Sequence, residues 1–387
     1  MKFMGYRRSD GRVGVRNHVL VIPGVVCSAV AVRKICQVVP GAVPLHHLNG
    51  CGQTPGDTAK TLDILSGLVA NGNVFGALIV GLGCETLLED NYVGAVREKT
   101  DKPVKYLALQ RMTGGLAETV RQGVALVRDM MHQTAVQTRE ECDVSELILG
   151  LECGGSDPTS GLSSNAVLGV VSDRLVDSGG TAVLSETPEA IGAEHLLRER
   201  GCTPEVGQKI YDAIRNNEKM FFDLGLDVRS GNPSRGNKAS GITTLEEKSL
   251  GCIHKSGSRQ FAEYYDYGRM IDKKGLMFMD TTGHDLASIT AKIAGGCQVV
   301  LFTTGMGTPV GSPVAPVLKI TGNRSTYERL GDILDFDTSA SLAGEKTVEG
   351  LGEELWDCLI RVCEGEQVKA EINEAGDMAI NQFASYC

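Results

Sequence analysis

The chain has 387 residues, a formal net charge of -10, 42% apolar residues, 48 glycines and 12 cysteines. That length exceeds what one ordinary core supports, so two domains are expected. The negative balance disfavours a nucleic-acid or anionic-membrane surface, and no apolar run approaches the roughly 18 residues of a membrane span.

The opening segment MKFMGYRRSDGRVGVRN is polar and lacks the apolar core of an export signal, so a soluble cytoplasmic protein is expected. In that compartment the cysteines read as free thiols, metal ligands or small buried residues, and the lack of any CxxC pair disfavours zinc-ribbon and thioredoxin-type sites. Next, HVLVIPGVVC (18–27) is an apolar strand run ending in glycine and cysteine, and SAVAVRKICQVV (28–39) has helical spacing. VPLHHLNGC (43–51) is a short strand with the same ending, followed by the amphipathic helix DTAKTLDILSGLVAN (57–71). VFGALIVGLGCE (74–85) repeats the theme, before a strand PVKYLAL (103–109) and a long helix (114–133). This βαβα order predicts a parallel sheet with helices on its faces.

Polar residues 134–143 read as a linker, which divides the chain into α/β domains at 1–135 and 136–387. The pattern then restarts with strand SELILGLECGG (145–155), helix 165–179, strand TAVLSE (181–186) and helices over 188–224. A glycine- and polar-rich section covers 228–258. Strand GLMFMD (275–280), helix 285–295, strands CQVVLFTTG (297–305) and APVLKIT (315–321) and helix 347–365 complete the order, with Cys387 at the carboxyl end.

Four strands end in a cysteine: Cys27, Cys51, Cys84 and Cys153. Ligands of open α/β sheets bind outside the carboxyl ends of strands, so these thiols could converge on a cleft. Thiolates suit iron or zinc, and His47, four residues before Cys51, adds an imidazole. Each cysteine is also, on its own, a small residue that packs well in a core. Three glycine-rich stretches fail as nucleotide loops: GLGCET lacks a third glycine, GNPSRGNKAS has Asn237 where a P-loop has lysine, and TGMGTPVG has the wrong spacing. They read as loops presenting amides and single cations to an anion, with Lys238, Lys248, Lys255 and Lys319 at hand. Glu247 beside Lys248 has an acid/base reading and a solvated-helix reading.

Taken together, GLECGGSD, GNKASGITTLEEKSLG, FTTGMGTPVG, HHLNGCGQ and IVGLGCE resemble the altronate/galactarate dehydratase family, over nearly the whole chain. The resemblance implies an iron(II)-stimulated lyase that removes the proton alpha to a carboxylate and expels a beta substituent, leaving a 2-keto acid. It implies metal ligation from among Cys27, His47, Cys51, Cys84 and Cys153. Gly154, Gly155, Asn237, Lys238, Thr304, Gly305 and Lys319 are assigned to anion and hydroxyl binding, and Glu186, Lys248 and Asp157 to catalysis. Family members that act on long sugar acids read TGRGTPYG where this chain has Met306 and Val310. Losing an arginine and a tyrosine favours a short acid, with 3-sulfolactate, split to pyruvate and sulfite, as the expected substrate and altronate as the alternative. The chain starts at the family's second domain, so a small SAF-domain subunit and a hetero-oligomer are expected. A non-catalytic metal or thiol sensor on the same fold is the rival reading, disfavoured by the retained GGSD, GNK and TTG loops.

Overall fold

The computed structural model describes residues 1–384; Cys387 lies outside the described residues. Its strands are β1 (Lys2–Arg7), β2 (Val13–Gly14), β3 (His18–Pro23), β4 (Val43–Pro44), β5 (Val74–Gly81), β6 (Val104–Ala108), β7 (Glu140–Asp143), β8 (Ile148–Cys153), β9 (Thr181–Leu184), β10 (Phe261–Tyr265), β11 (Gly275–Met279), β12 (Val299–Thr303), β13 (Val317–Thr321) and β14 (Phe336–Asp337). They form a four-stranded parallel sheet in the order β4-β3-β5-β6 and a seven-stranded parallel sheet in the order β10-β11-β9-β8-β12-β13-β14. The expected α/β class, with parallel sheets flanked by helices, is what the chain adopts.

Two segments differ from the sequence reading. Residues 140–143, read as linker, form β7, which pairs antiparallel with β1, while β1 pairs with β2 on its other side. Charged residues at both ends of this small sheet hide its pattern, and only Cys142 of β7 is buried. The polar section 228–258 contains the helices Val228–Gly231, Arg235–Ala239 and Leu245–Ile253. Each starts where Asp227, Ser234 or Thr244 accepts a hydrogen bond from a first-turn amide.

Alternation along the strands sends successive residues to opposite faces. In β3, Val19 and Val21 join the apolar cluster that contains Ile35 and Val127, whereas Leu20 and Ile22 join a second cluster. That second cluster is shared: it also takes Met277, Ile289, Val300 and Phe302 from the larger sheet and its helix Asp285–Ala294. Helix Pro55–Ala70 lies against Asp285–Ala294 so closely that a Cβ on Gly67 would sit 2.5 Å from the Ala294 carbonyl oxygen. On the far face of the larger sheet, Leu149, Leu151, Val299 and Leu301 pack with helices Asn165–Asp177 and Val348–Cys363. The single tryptophan, Trp356, lies there under the Arg174 guanidinium.

Each parallel sheet has a point where the strand order reverses. In the larger one the chain leaves β8 toward β9 on one side and later places β12 on the other. In the smaller one β3 is flanked by β4 and β5. Crevices at such points, outside the carboxyl ends of the strands, are where open α/β sheets bind ligands.

Candidate active site

At the reversal between β8 and β12, the loop after Cys153 is stitched to the loop after Thr303. Gly154 N donates to Thr303 O (3.1 Å), and Gly305 N and Met306 N both donate to Gly155 O (3.1 and 2.9 Å). Gly155 has φ +58°, which a side chain would resist. Above these loops opens a cavity of about 940 Å³. Cys153, Gly154, Gly155, Asn237, Lys248 and Met306 line it, together with Ser156, Glu189, Asn232 and Asp285.

Asp285 begins its helix after the short loop that follows β11, and its carboxylate fills the space where Gly154 has no side chain; a Cβ there would meet its oxygens at 2.6 and 2.8 Å. Burial, reinforced by the Glu186 and Glu189 charges, pushes its pKa up to about 6. Across the cavity Lys248 is held by Glu189 Oε2 (2.7 Å) and Asn232 Oδ1 (2.8 Å). Burial acts to lower the Lys248 pKa, but the Glu189 carboxylate outweighs it and the ammonium is retained.

Beneath the floor lies a buried charged cluster. Lys255 Nζ donates to Glu186 Oε2 (2.6 Å), Cys153 Sγ and Cys252 Sγ (both 3.0 Å), and the two sulfurs are 3.6 Å apart. Glu186 reaches this position from a left-handed backbone, φ 67° and ψ 59°, a conformation that costs a non-glycine residue about 1–2 kcal/mol. Its Oε2 also accepts from Cys153 N (3.1 Å). The hydrogen bond to Cys252, with burial, raises the Cys153 pKa; the same bond and the Lys255 ammonium lower that of Cys252. Burial alone would discharge Lys255, but the two sulfurs and Glu186 outweigh it and raise its pKa. Alongside, Glu152 is paired with Lys292, both inaccessible to solvent.

These positions revise several sequence expectations. Glu186 is 1% exposed and faces Lys255 rather than the cavity. Asp157 is an anchor: its Oδ1 accepts from Thr159 Oγ1 and from the Ser160 amide and hydroxyl, and its Oδ2 from Asn323 Nδ2. Gly305 is bare because Asp157 packs on it, a Cβ there meeting the Asp157 carboxyl carbon at 2.1 Å. Thr304 caps its own loop by accepting from Gly307 N. Asn237 lines the cavity and ties the GGSD loop down through Nδ2 to Ser156 O (2.8 Å). Lys238 is exposed, with Nζ 3.4 Å from Ser230 O. Lys319 is inaccessible, with no hydrogen-bond partner for Nζ, which lies over the Phe302 ring. Val310 is absent from the cavity lining and packs on the shared apolar cluster. Asp285, Glu189 and Cys252 escaped the sequence reading; Asp285 alone carried a signal, since it follows a strand end.

Among the described residues, no three of the five candidate ligands gather around one ion. Among the described residues, only Cys153, Glu186 and Cys252 place ligand atoms within 4.8 Å of one another. Two soft sulfurs and a carboxylate suit iron or zinc by donor type. As arranged, however, the Lys255 ammonium occupies the point a divalent ion would take, so this trio does not fit the ion. His47 is committed to the fold. Nε2 donates to Pro23 O (2.7 Å), Nδ1 accepts from Asn49 N (3.2 Å), and burial lowers its pKa to about 4. Cys27, Cys51 and Cys84 are exposed, on the loops after β3, β4 and β5.

Comparison with known proteins identifies the family. A model of the D-galactarate/altronate dehydratase C-terminal domain matches residues 144–385, and one of the D-galactarate dehydratase/altronate hydrolase second domain matches residues 5–135. The chain is 37% identical to altronate dehydratase of Bacillus subtilis, over 98% of this chain and 77% of that protein. It is 35% identical to altronate dehydratase of Escherichia coli, over 97% and 76%. It is 32% identical to the (2R)-sulfolactate sulfo-lyase subunit beta of Chromohalobacter salexigens, over 95% and 94%. The chain belongs to the D-galactarate/altronate dehydratase family and is a lyase.

Proposed function

We propose that this chain catalyses β-elimination from a 2-hydroxy carboxylate, with 3-sulfolactate as the substrate whose shape and charge fit best. The observation that carries the reading is the pairing, in one cavity, of a carboxylate poised near pKa 6 with a fixed ammonium. Asp285 takes the proton alpha to the substrate carboxylate, a task for which a base with a raised pKa is suited. Lys248 holds an anionic group and stabilises the charge that develops on the enediolate. Asn237 and Asp157 position the loops, and the buried Lys255–Glu186 pair fixes the cavity floor. Met306, 36% exposed and lining the cavity beside Gly155, gives the wall an apolar side where a long acid would want a donor. Leaving each distal hydroxyl of such an acid unpaired costs roughly 1–3 kcal/mol.

Water loss from altronate is the second reading. Two observations favour it: the higher identity to altronate dehydratases, and a cavity roomier than a three-carbon acid requires. Because one relative is named as a subunit beta, we also propose a partner subunit, a small SAF-domain chain closing the open cavity and making a hetero-oligomer. Assay of the chain with and without such a subunit, against 3-sulfolactate, altronate and galactarate, tests both. The sulfolactate reading requires kcat/KM at least about a hundredfold above altronate. Faster turnover of altronate would overturn it in favour of the second, and no turnover of any hydroxy acid would remove both.

A further inference from the structure

The buried cluster under the cavity floor holds two thiols that the elimination chemistry does not use. Cys153 closes β8, and Cys252 sits in the last turn of helix Leu245–Ile253, 99 residues further along the chain. Both are buried, and their sulfurs touch at 3.6 Å. A disulfide holds its sulfurs at about 2.0 Å, so closing the bond takes a shift of about 1.6 Å. Lys255 Nζ donates to both sulfurs at 3.0 Å. An ammonium at that distance favours the thiolate, the form that reacts, and has a proton to give a departing hydroxide.

Each thiol has its own approach. Cys153 lines the cavity of about 940 Å³. Cys252 lines a second one of about 240 Å³, together with Asn165, Glu247 and His254, and Ser156 and Lys248 line both. Hydrogen peroxide is little larger than water, whose share of liquid volume is about 30 Å³, so both cavities have room for it.

We propose that Cys153 and Cys252 form a site of reversible oxidation, closing a disulfide beneath the cavity floor when the protein meets a hydroperoxide. One sulfur takes an oxygen from hydrogen peroxide as the O–O bond breaks, and the hydroxide that leaves is protonated to water. The second sulfur then displaces that oxygen from the first, releasing another water. In sum, two thiols and one peroxide give one disulfide and two waters; the sulfurs lose two electrons and the peroxide gains them. The bond also moves working groups. Gly154, whose bare face seats the Asp285 carboxylate, follows Cys153, and Lys248 stands one turn before Cys252 on its helix. Drawing the sulfurs together shifts Asp285 and Lys248 against each other and slows turnover, a consequence that rests on the elimination reading.

The reduced chain is treated with hydrogen peroxide, unfolded in an alkylating agent and digested with trypsin. Mass spectrometry is expected to find peptide 249–255 joined through Cys252 to the peptide that carries Cys153, two hydrogens lighter than the free pair. Fragmentation places the bond on Cys153 rather than Cys142, and a thiol reductant releases both peptides. Cys153→Ser, which leaves Cys252 without its partner, stops at the sulfenic acid, where dimedone traps it. In the wild type, kcat falls in step with the cross-linked fraction and returns on reduction. Alkylated Cys153 and Cys252 throughout the treated wild-type protein overturn the site. A bond that forms while kcat is unchanged overturns its coupling to the cavity. The peptide result stands whether or not the chain turns over a hydroxy acid, so the two readings fail separately.

Discussion

Asp285 ties the chemistry of the cavity to pH. Its pKa is raised from 3.8 to about 6, so the basic form appears as pH rises through about 6. The expected kcat/KM profile climbs on that limb and levels above it. Asp285→Asn should lower kcat/KM by at least about a hundredfold and erase the limb; a limb that persists in the variant would transfer the base role elsewhere. Lys319 makes the opposite kind of prediction. Burial lowers its pKa from 10.5 to about 8, so between those values the unfolded chain binds more protons than the folded one. Stability therefore rises with pH over that window. Below it the buried ammonium destabilises the fold by about 3 kcal/mol, at roughly 1.4 kcal/mol per unit. Lys319→Met should raise the urea midpoint at pH 7 and flatten the alkaline rise. A lowered midpoint would show that the ammonium has a partner that burial alone does not reveal.

Elements explain why some of the site was legible in sequence and some was not. A strand followed by glycine, cysteine and a polar turn is a local pattern, so the loops after β3, β4, β5, β8 and β12 could be found by reading along the chain. The working groups in and beneath the cavity come from helices and the turns beside them instead. Lys248, Cys252 and Lys255 arrive on Leu245–Ile253 and the turn after it, and Asp285 on the first residue of its helix. Their convergence is a product of topology, which residue spacing does not encode. The same limit applies to the metal candidates: Cys51 follows a strand of the smaller sheet and Cys153 a strand of the larger one, and the His47 ring bonds backbone groups. Gly67 tests the packing that brings the sheets together. A methyl there would press on the Ala294 carbonyl and move helix Asp285–Ala294, which carries Asp285. Gly67→Ala should destabilise by about 1–3 kcal/mol and lower kcat more than it raises KM. Wild-type stability and kcat in Gly67→Ala would show that this contact does not set the position of Asp285.

At the scale of the molecule, the two parallel sheets share one apolar cluster, so the boundary near residue 135 is no boundary in the core. The chain also carries one tryptophan, and it lies on the far side of the larger sheet, beneath Arg174 and away from that shared cluster. Its emission is therefore an optical report on one half alone, while far-ultraviolet dichroism sees the helices of both. A cooperative unit gives coincident transitions by the two probes. We expect the curves to superimpose in urea at pH 7, and to separate in Gly67→Ala, with tryptophan emission holding to higher urea than dichroism. Separate curves in the wild type would mean that the halves unfold independently. The position of a single indole thus makes the energetic coupling between the two sheets measurable without any label.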